Sequence, residues 1–170
     1  GLGGSGDSAY AYSPFVMKDG GLYKMWYTGG FGGNERIYHA TSPDALNWTK
    51  MDNAVPANSD GASTGGRIPL GNGGRGDDMY AFSAYVVKTG GVYQMWYTGY
   101  DGAPSAYRIY RATSPDGLNW TKTDNNTPAA SDGASTAGRV PIAATAGRGD
   151  ISHAGRCAVL VEDDGTYKMW

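Results

Sequence analysis

The sequence predicts an all-β fold of β-propeller blades, four-stranded antiparallel meanders that make up an incomplete propeller. Three observations lead there. The segment YKMWYTGG at 23–30 returns as YQMWYTGY at 93–100 and begins again as YKMW at 167–170. A period of about 70 residues points to a solenoid, propeller or array, whose single unit cannot bury its apolar face alone. The composition is that of strands and turns, with 28 glycines, 13 tyrosines, 40% apolar residues and only 18% charged ones. Turn signals of the type DGG and SPDG fall at fixed places between aromatic runs.

These repeats divide the 170 residues into a connector at 1–5, a first blade at 6–75, a second at 76–148 and part of a third at 149–170. Within the first blade, AYSPFVMK at 11–18 reads as a strand ending in the Asp19-Gly20-Gly21 turn. Residues 23–28 then alternate Tyr23, Met25 and Tyr27 with Lys24, Trp26 and Thr28, a strand with large side chains on both faces. A third strand is expected at 36–41 and a short fourth at 47–50. The loop before the third strand is two residues longer in the second copy, where length changes are tolerated. Between strands three and four, SPDALNW at 42–48 and SPDGLNW at 114–120 give a turn that the Asp44 or Asp116 side chain can close, with Trp48 or Trp120 packing behind it. These four residues are read as structural. The rest of each repeat, of SDGASTGGR type, is a long connector of a kind that often carries function. No stretch shows helical spacing of apolar residues, and an open sandwich or stacked solenoid is the other architecture these meanders allow.

Charge and cysteine usage narrow the partners. A net charge of -2 offers no basic patch for nucleic acid or an anionic membrane surface. No run approaches the roughly 18 apolar residues of a membrane-spanning helix. A single cysteine, Cys157, excludes an internal disulfide framework, and His39 and His153 occupy unrelated places in the repeat, so neither a metal nor another cofactor is expected.

At KDGGLYKMWYTG, RIYHATSPDALNW and their copies, the sequence resembles the repeats of five-bladed β-propeller glycosidases, the arabinanase/xylosidase and invertase/levansucrase relatives. The likeness covers nearly the whole chain and implies a partial propeller of about two and a third blades. The sialidase-type Asp box is a poorer match, because its spacing is one residue longer than SPDGLNW. Those glycosidases carry acidic residues at the axial starts of innermost strands, where a carboxylate pair works on the glycosidic bond. The corresponding positions here are read as Ser13-Pro14, Ser83-Ala84 and Cys157-Ala158, so no catalytic carboxylate is carried over.

Around those strand starts the ligand-binding candidates are Tyr12, Ser13, Asp77, Phe82, Ser83, Asp150 and His153. Aromatic rings there can stack on sugar rings while hydroxyls and carboxylates bond sugar hydroxyls. The competing assignment is that the aromatics, with Tyr10, Tyr80 and Tyr85, fill the core. Likewise Asp7, Asp77 and Asp150 serve either the axis or strand entry. Cys157, next to Arg156, would form a thiolate if exposed, but a nucleophile would also need a base, and it is read as a small buried residue. The Arg75-Gly76-Asp77 and Arg148-Gly149-Asp150 tripeptides sit at repeat junctions, where Gly and Asp make turns, and the sequons at Asn47 and Asn119 fall on the structural turn.

The expectation for function is a non-catalytic, carbohydrate-binding or extracellular structural module with a glycosidase-like propeller. The rival is a fragment of a glycoside hydrolase whose catalytic carboxylates lie in other blades. Trp170 matches Trp26 and Trp96 in mid-strand, which leads to the further expectation of a longer repeat chain or of self-association. Location outside the cell or at its surface goes with either.

Overall fold

The computed structural model of the chain describes residues 6–51, 67–71, 77–102, 105–123, 140 and 153–170. Among these, all regular structure is β. Blade 1 is an antiparallel meander of β1 (Tyr10–Asp19), β2 (Leu22–Phe31), β3 (Asn34–Ser42) and β4 (Thr49–Lys50), paired in that order. Blade 2 repeats it with β5 (Tyr80–Thr89), β6 (Val92–Gly102), β7 (Ser105–Ser114) and β8 (Thr121–Lys122). The third unit contributes a two-stranded antiparallel sheet of β9 (Val159–Val161) and β10 (Tyr167–Met169). The four-stranded blades are those the sequence predicts. Most of each long connector lies outside the described residues.

The hairpins close on two residues, with Asp19 opposite Leu22 and Thr89 opposite Val92. Gly20, Gly90 and Gly91 supply the positive φ that such tight turns need. The central strands run further than expected, and the fourth strand is shorter because Asn47 and Trp48 belong to the turn before it. There Asp44 Oδ1 accepts hydrogen bonds from the Leu46 and Asn47 amides at 2.9 and 2.8 Å, and Asp116 Oδ1 does the same for Leu118 and Asn119, both at 2.8 Å. The amide donated by Asn47 chiefly holds the Asp44 carboxyl well below the usual carboxylate range.

Strand alternation gives each blade two apolar faces, and stacking the blades buries them. Trp26, Ile37, Phe15 and Met17 of blade 1 pack on Val86, Tyr93, Met95, Tyr97, Ala112 and Trp120 of blade 2. Trp26 is fully buried, meets Trp120 edge to face at 6.1 Å and donates from Nε1 to the Gly117 carbonyl at 3.2 Å. The opposite face of blade 2, with Trp96 and Ile109, is covered by Val159, Ala154, Cys157 and Met169. At the rim of the first seam, Asp19 accepts from Lys88 at 2.7 Å and pairs with Lys24 at 3.0 Å, and the Tyr93 hydroxyl also donates to it.

The turn residues differ in one informative way. Ala45 has φ +62 where Gly117 stands in blade 2 with φ +80. A side chain in that left-handed region is strained, so Ala45→Gly should raise stability by about 1 kcal/mol, read as a higher urea midpoint. Gly117→Ala should lower it by more, since a Cβ there would lie 3.1 Å from the Trp26 ring.

A second expectation follows from His39, which is 1% exposed, lies 5.1 Å from the Trp26 ring and has no hydrogen-bond partner for either ring nitrogen among the described residues. Burial, helped by Lys24, pushes its pKa from 6.5 down to about 4. The unfolded chain therefore takes up the proton first as pH falls. The contribution of His39 is fully present above pH 6.5 and is lost toward about pH 4, a cost of about 3 kcal/mol. Denaturant titrations across that range should show this slope in the native chain and a flatter one in His39→Phe, which keeps a ring against Trp26. Equal slopes would contradict the assignment.

Candidate functional site

Each blade enters its innermost strand through a buried carboxylate clamp. Asp7 accepts from the Tyr27 hydroxyl at 2.8 Å and from Lys50. Asp77 accepts from Tyr97 at 2.8 Å and from Lys122 at 2.5 Å. The clamp ties strand entry to the second and fourth strands. It also explains the glycine of the YTG motif: a Cβ on Gly29 or Gly99 would lie 2.5 or 2.4 Å from the Cβ of Asp7 or Asp77. Burial raises the Asp7 carboxyl, but the bonds from Lys50 and Tyr27 outweigh it and bring its pKa below the ordinary value.

Further along each innermost strand the pairing slips, between Tyr12 and Phe15 and between Phe82 and Tyr85. The extra residue of each bulge has positive φ: Ser13 at +47 and Ser83 at +53. In the third unit the residue with this conformation is Arg156, at +57. Two tethers confirm the equivalence, because the Ser83 amide donates to Thr28 Oγ1 of blade 1 and the Arg156 amide donates to Thr98 Oγ1 of blade 2, each at 2.9 Å.

This corrects the sequence alignment that set Cys157 beside Ser13 and Ser83. Ala158 exchanges both backbone bonds with Trp170, as its equivalent Phe15 pairs with Trp26, so Cys157 takes the place of Pro14 and Ala84. The slip arises in the hairpin, where five residues separate Val161 from Tyr167 against four between Lys18 and Tyr23. Of the two readings of Cys157, the structure favours the packed one over the thiolate. Cys157 packs against the Trp96 and Val159 cluster, and burial pushes its thiol up to about 11.

Around these bulges a cavity of about 410 Å³ is shared by all three units. Blade 1 supplies Tyr12 and Glu35, blade 2 supplies Phe82, Thr98 and Tyr107, and the third unit supplies His153 and Arg156. The Tyr12 hydroxyl donates to Glu35 Oε1 at 2.6 Å. Burial and then this bond to a carboxylate raise the Tyr12 pKa, so the phenol remains a donor. Phe82 meets Tyr107 edge to face at 5.9 Å, and the His153 ring lies 5.2 Å from that of Tyr107. A neighbouring cleft of about 300 Å³ is bordered by Ser13, Ser83, Arg156 and Cys157, with the two serine oxygens 3.5 Å apart.

Of the residues singled out in the sequence, the structure thus gathers Tyr12, Phe82 and His153 in the cavity and Ser13 and Ser83 beside it. Asp77 is held in its clamp and does not line either space. Asp150 lies outside the described residues. Glu35, Tyr107, Thr98 and Arg156 were not foreseen. A signal existed for Glu35, because Tyr107 replaces it at the matching position in an otherwise well-kept copy.

No family model matches the sequence. Over 114 residues the chain is 37% identical to an uncharacterised protein of Mycobacterium tuberculosis strain H37Rv, covering 63% of this chain and 32% of that one. A counterpart in strain CDC 1551 matches at 36% with the same coverage. The chain therefore spans about a third of the length of these curated relatives. Among solved structures, a family 117 glycoside hydrolase from Zobellia galactanivorans superposes with TM-score 0.62 at 13% identity, over 94% of this chain and 46% of that one. A family 43 β-xylosidase/α-arabinofuranosidase from a compost metagenome gives TM-score 0.58 at 15% identity, over 96% and 42%. At such identities the likeness is one of fold. The fold is that of a glycoside hydrolase-like β-propeller, in agreement with the resemblance carried by the repeats.

The half-buried thiol offers a check on the corrected register. Alkylation of Cys157 in the folded chain should be slow at neutral pH and climb only toward about pH 11, while the unfolded chain reacts at the rate of an ordinary thiol. Rapid labelling of the folded chain at neutral pH would restore the exposed-thiolate reading.

Proposed function

We propose that the chain is a saccharide-binding module with a glycosidase-like propeller fold, and that the cavity at the innermost strand starts is its binding site. One observation carries this reading: three units converge there to combine the Phe82 and Tyr107 rings with a carboxylate and phenol pair, Glu35 and Tyr12. Aromatic rings offer sugar C–H faces an apolar platform, and carboxylate and phenol bond hydroxyls. Hydrolysis of a glycosidic bond normally employs two carboxylates flanking it, and the described lining of the cavity supplies Glu35. Binding without turnover is accordingly the favoured function. An extracellular or surface setting belongs to the same proposal, since polymeric glycans are met there.

Calorimetric titration with arabinan, xylan, fructan and pectic oligosaccharides tests it. Saturable binding without release of reducing ends is the expected result, and Phe82→Ala or Tyr107→Ala should weaken it by about tenfold or more. Release of reducing ends that stops in Glu35→Gln would replace the binding reading with a hydrolase. Absence of binding to the whole panel would end the proposal.

A further inference from the structure

We infer that the cavity selects an acidic saccharide, one bearing a sugar-ring carboxylate, and that Arg156 is the residue that recognises the charge; this rests on the saccharide-binding reading above. The three bulge positions are equivalent in backbone yet unlike in chemistry. Two carry serine, and the third carries arginine in a left-handed conformation, φ +57, that long side chains seldom adopt. The Thr98 hydroxyl holds that backbone by accepting the Arg156 amide at 2.9 Å. Among the described residues, Arg156 is the one that borders both the cavity and the serine-lined cleft.

Its guanidinium forms no ion pair and no side-chain hydrogen bond among the described residues. Such a fork presents five donors and no acceptor, and it fits a carboxylate with two parallel bonds. The wall formed by the third unit also carries His153, a further potential donor. On the blade 1 side stands Glu35, already bonded to Tyr12. An ionised carboxylate only accepts hydrogen bonds, so it suits sugar hydroxyls and repels a ligand carboxylate. The two sides therefore orient the ligand: hydroxyls toward Glu35, the ring against Phe82 and Tyr107, and the acid group toward Arg156. A neutral sugar would leave the guanidinium with hydroxyl partners alone.

The experiment compares galacturonate, glucuronate and mannuronate trimers with their neutral counterparts of the same linkage, by calorimetry at low ionic strength. The variants are Arg156→Gln, which keeps much of the side-chain length, and Arg156→Gly, which relaxes the backbone at this φ and so guards against loss of the fold. At least one acidic trimer should bind about tenfold more tightly than its neutral counterpart, with a preference that weakens as salt is added. Both variants should lose that preference, so that each acidic trimer binds within about threefold of its neutral counterpart. Equal affinity for all pairs, or a preference that survives Arg156→Gly, overturns the inference while leaving saccharide binding in place. Failure of every trimer, acidic and neutral, to bind overturns both.

Discussion

The hydrogen bond from a bulged amide to the threonine of the preceding blade is the constraint on which the axial region depends. Ser83 reaches Thr28 and Arg156 reaches Thr98, in each case across a blade boundary. A non-glycine residue at positive φ costs about 1–2 kcal/mol, and a buried amide left without a partner costs a similar amount; the tether removes the second cost, and the packing around the bulge carries the first. Because it joins neighbouring units, it also fixes how far one innermost strand advances relative to the next. The residue just before each bulge, Tyr12, Phe82 or Gly155, is thereby delivered to the common cavity. Gly155 fits that place closely, since a Cβ on it would lie 2.9 Å from the Thr98 methyl.

The carboxylate clamps act one step earlier on the same strands. Lys122 and Asp77 have side chains only 5% and 3% exposed, so their attraction is little screened and their desolvation is costly. The Tyr97 hydroxyl helps to satisfy the carboxylate at no cost in charge. In blade 1 the matching Lys50 is 35% exposed, and its pair with Asp7 is correspondingly more open to screening. The same residues in the same places thus have different electrostatic weight, because blade 2 is covered on the side where blade 1 is not.

What was legible in the sequence was local. The DGG hairpin and the Asp-closed SPD turn set strand boundaries within a few residues of each other, and alternation in YKMWYTG marks a strand used on both faces. Blade order follows from these. The site is another matter, because Glu35 and Tyr107 sit at third-strand starts while Tyr12, Phe82 and Arg156 come from innermost strands of three units. No linear spacing records that convergence. Arg156 was hidden by a hairpin one residue longer than its counterparts, which shifts everything before it when residues are counted back from Tyr167.

Differences between the copies are informative only when joined to position. Lys24 and His39 in blade 1 are replaced by Gln94 and Arg111 in blade 2, a change as large as any at the cavity. In blade 1 the lysine turns to Asp19 while a neutral histidine lies on Trp26. In blade 2 the Arg111 guanidinium bonds Gln94 Oε1 at 2.5 Å and lies 5.8 Å from the Trp96 ring, so the exchange preserves a cap over the strand-two tryptophan. That is compensation inside a seam, and it leaves nothing directed at a ligand. The exchanges of Glu35 for Tyr107 and of serine for Arg156 differ in kind: each changes the chemistry facing a shared space, and the arginine has no compensating partner among the described residues. Asymmetry in a repeat protein points to function where the altered side chain is left facing a cavity, and to packing where a neighbour has changed with it.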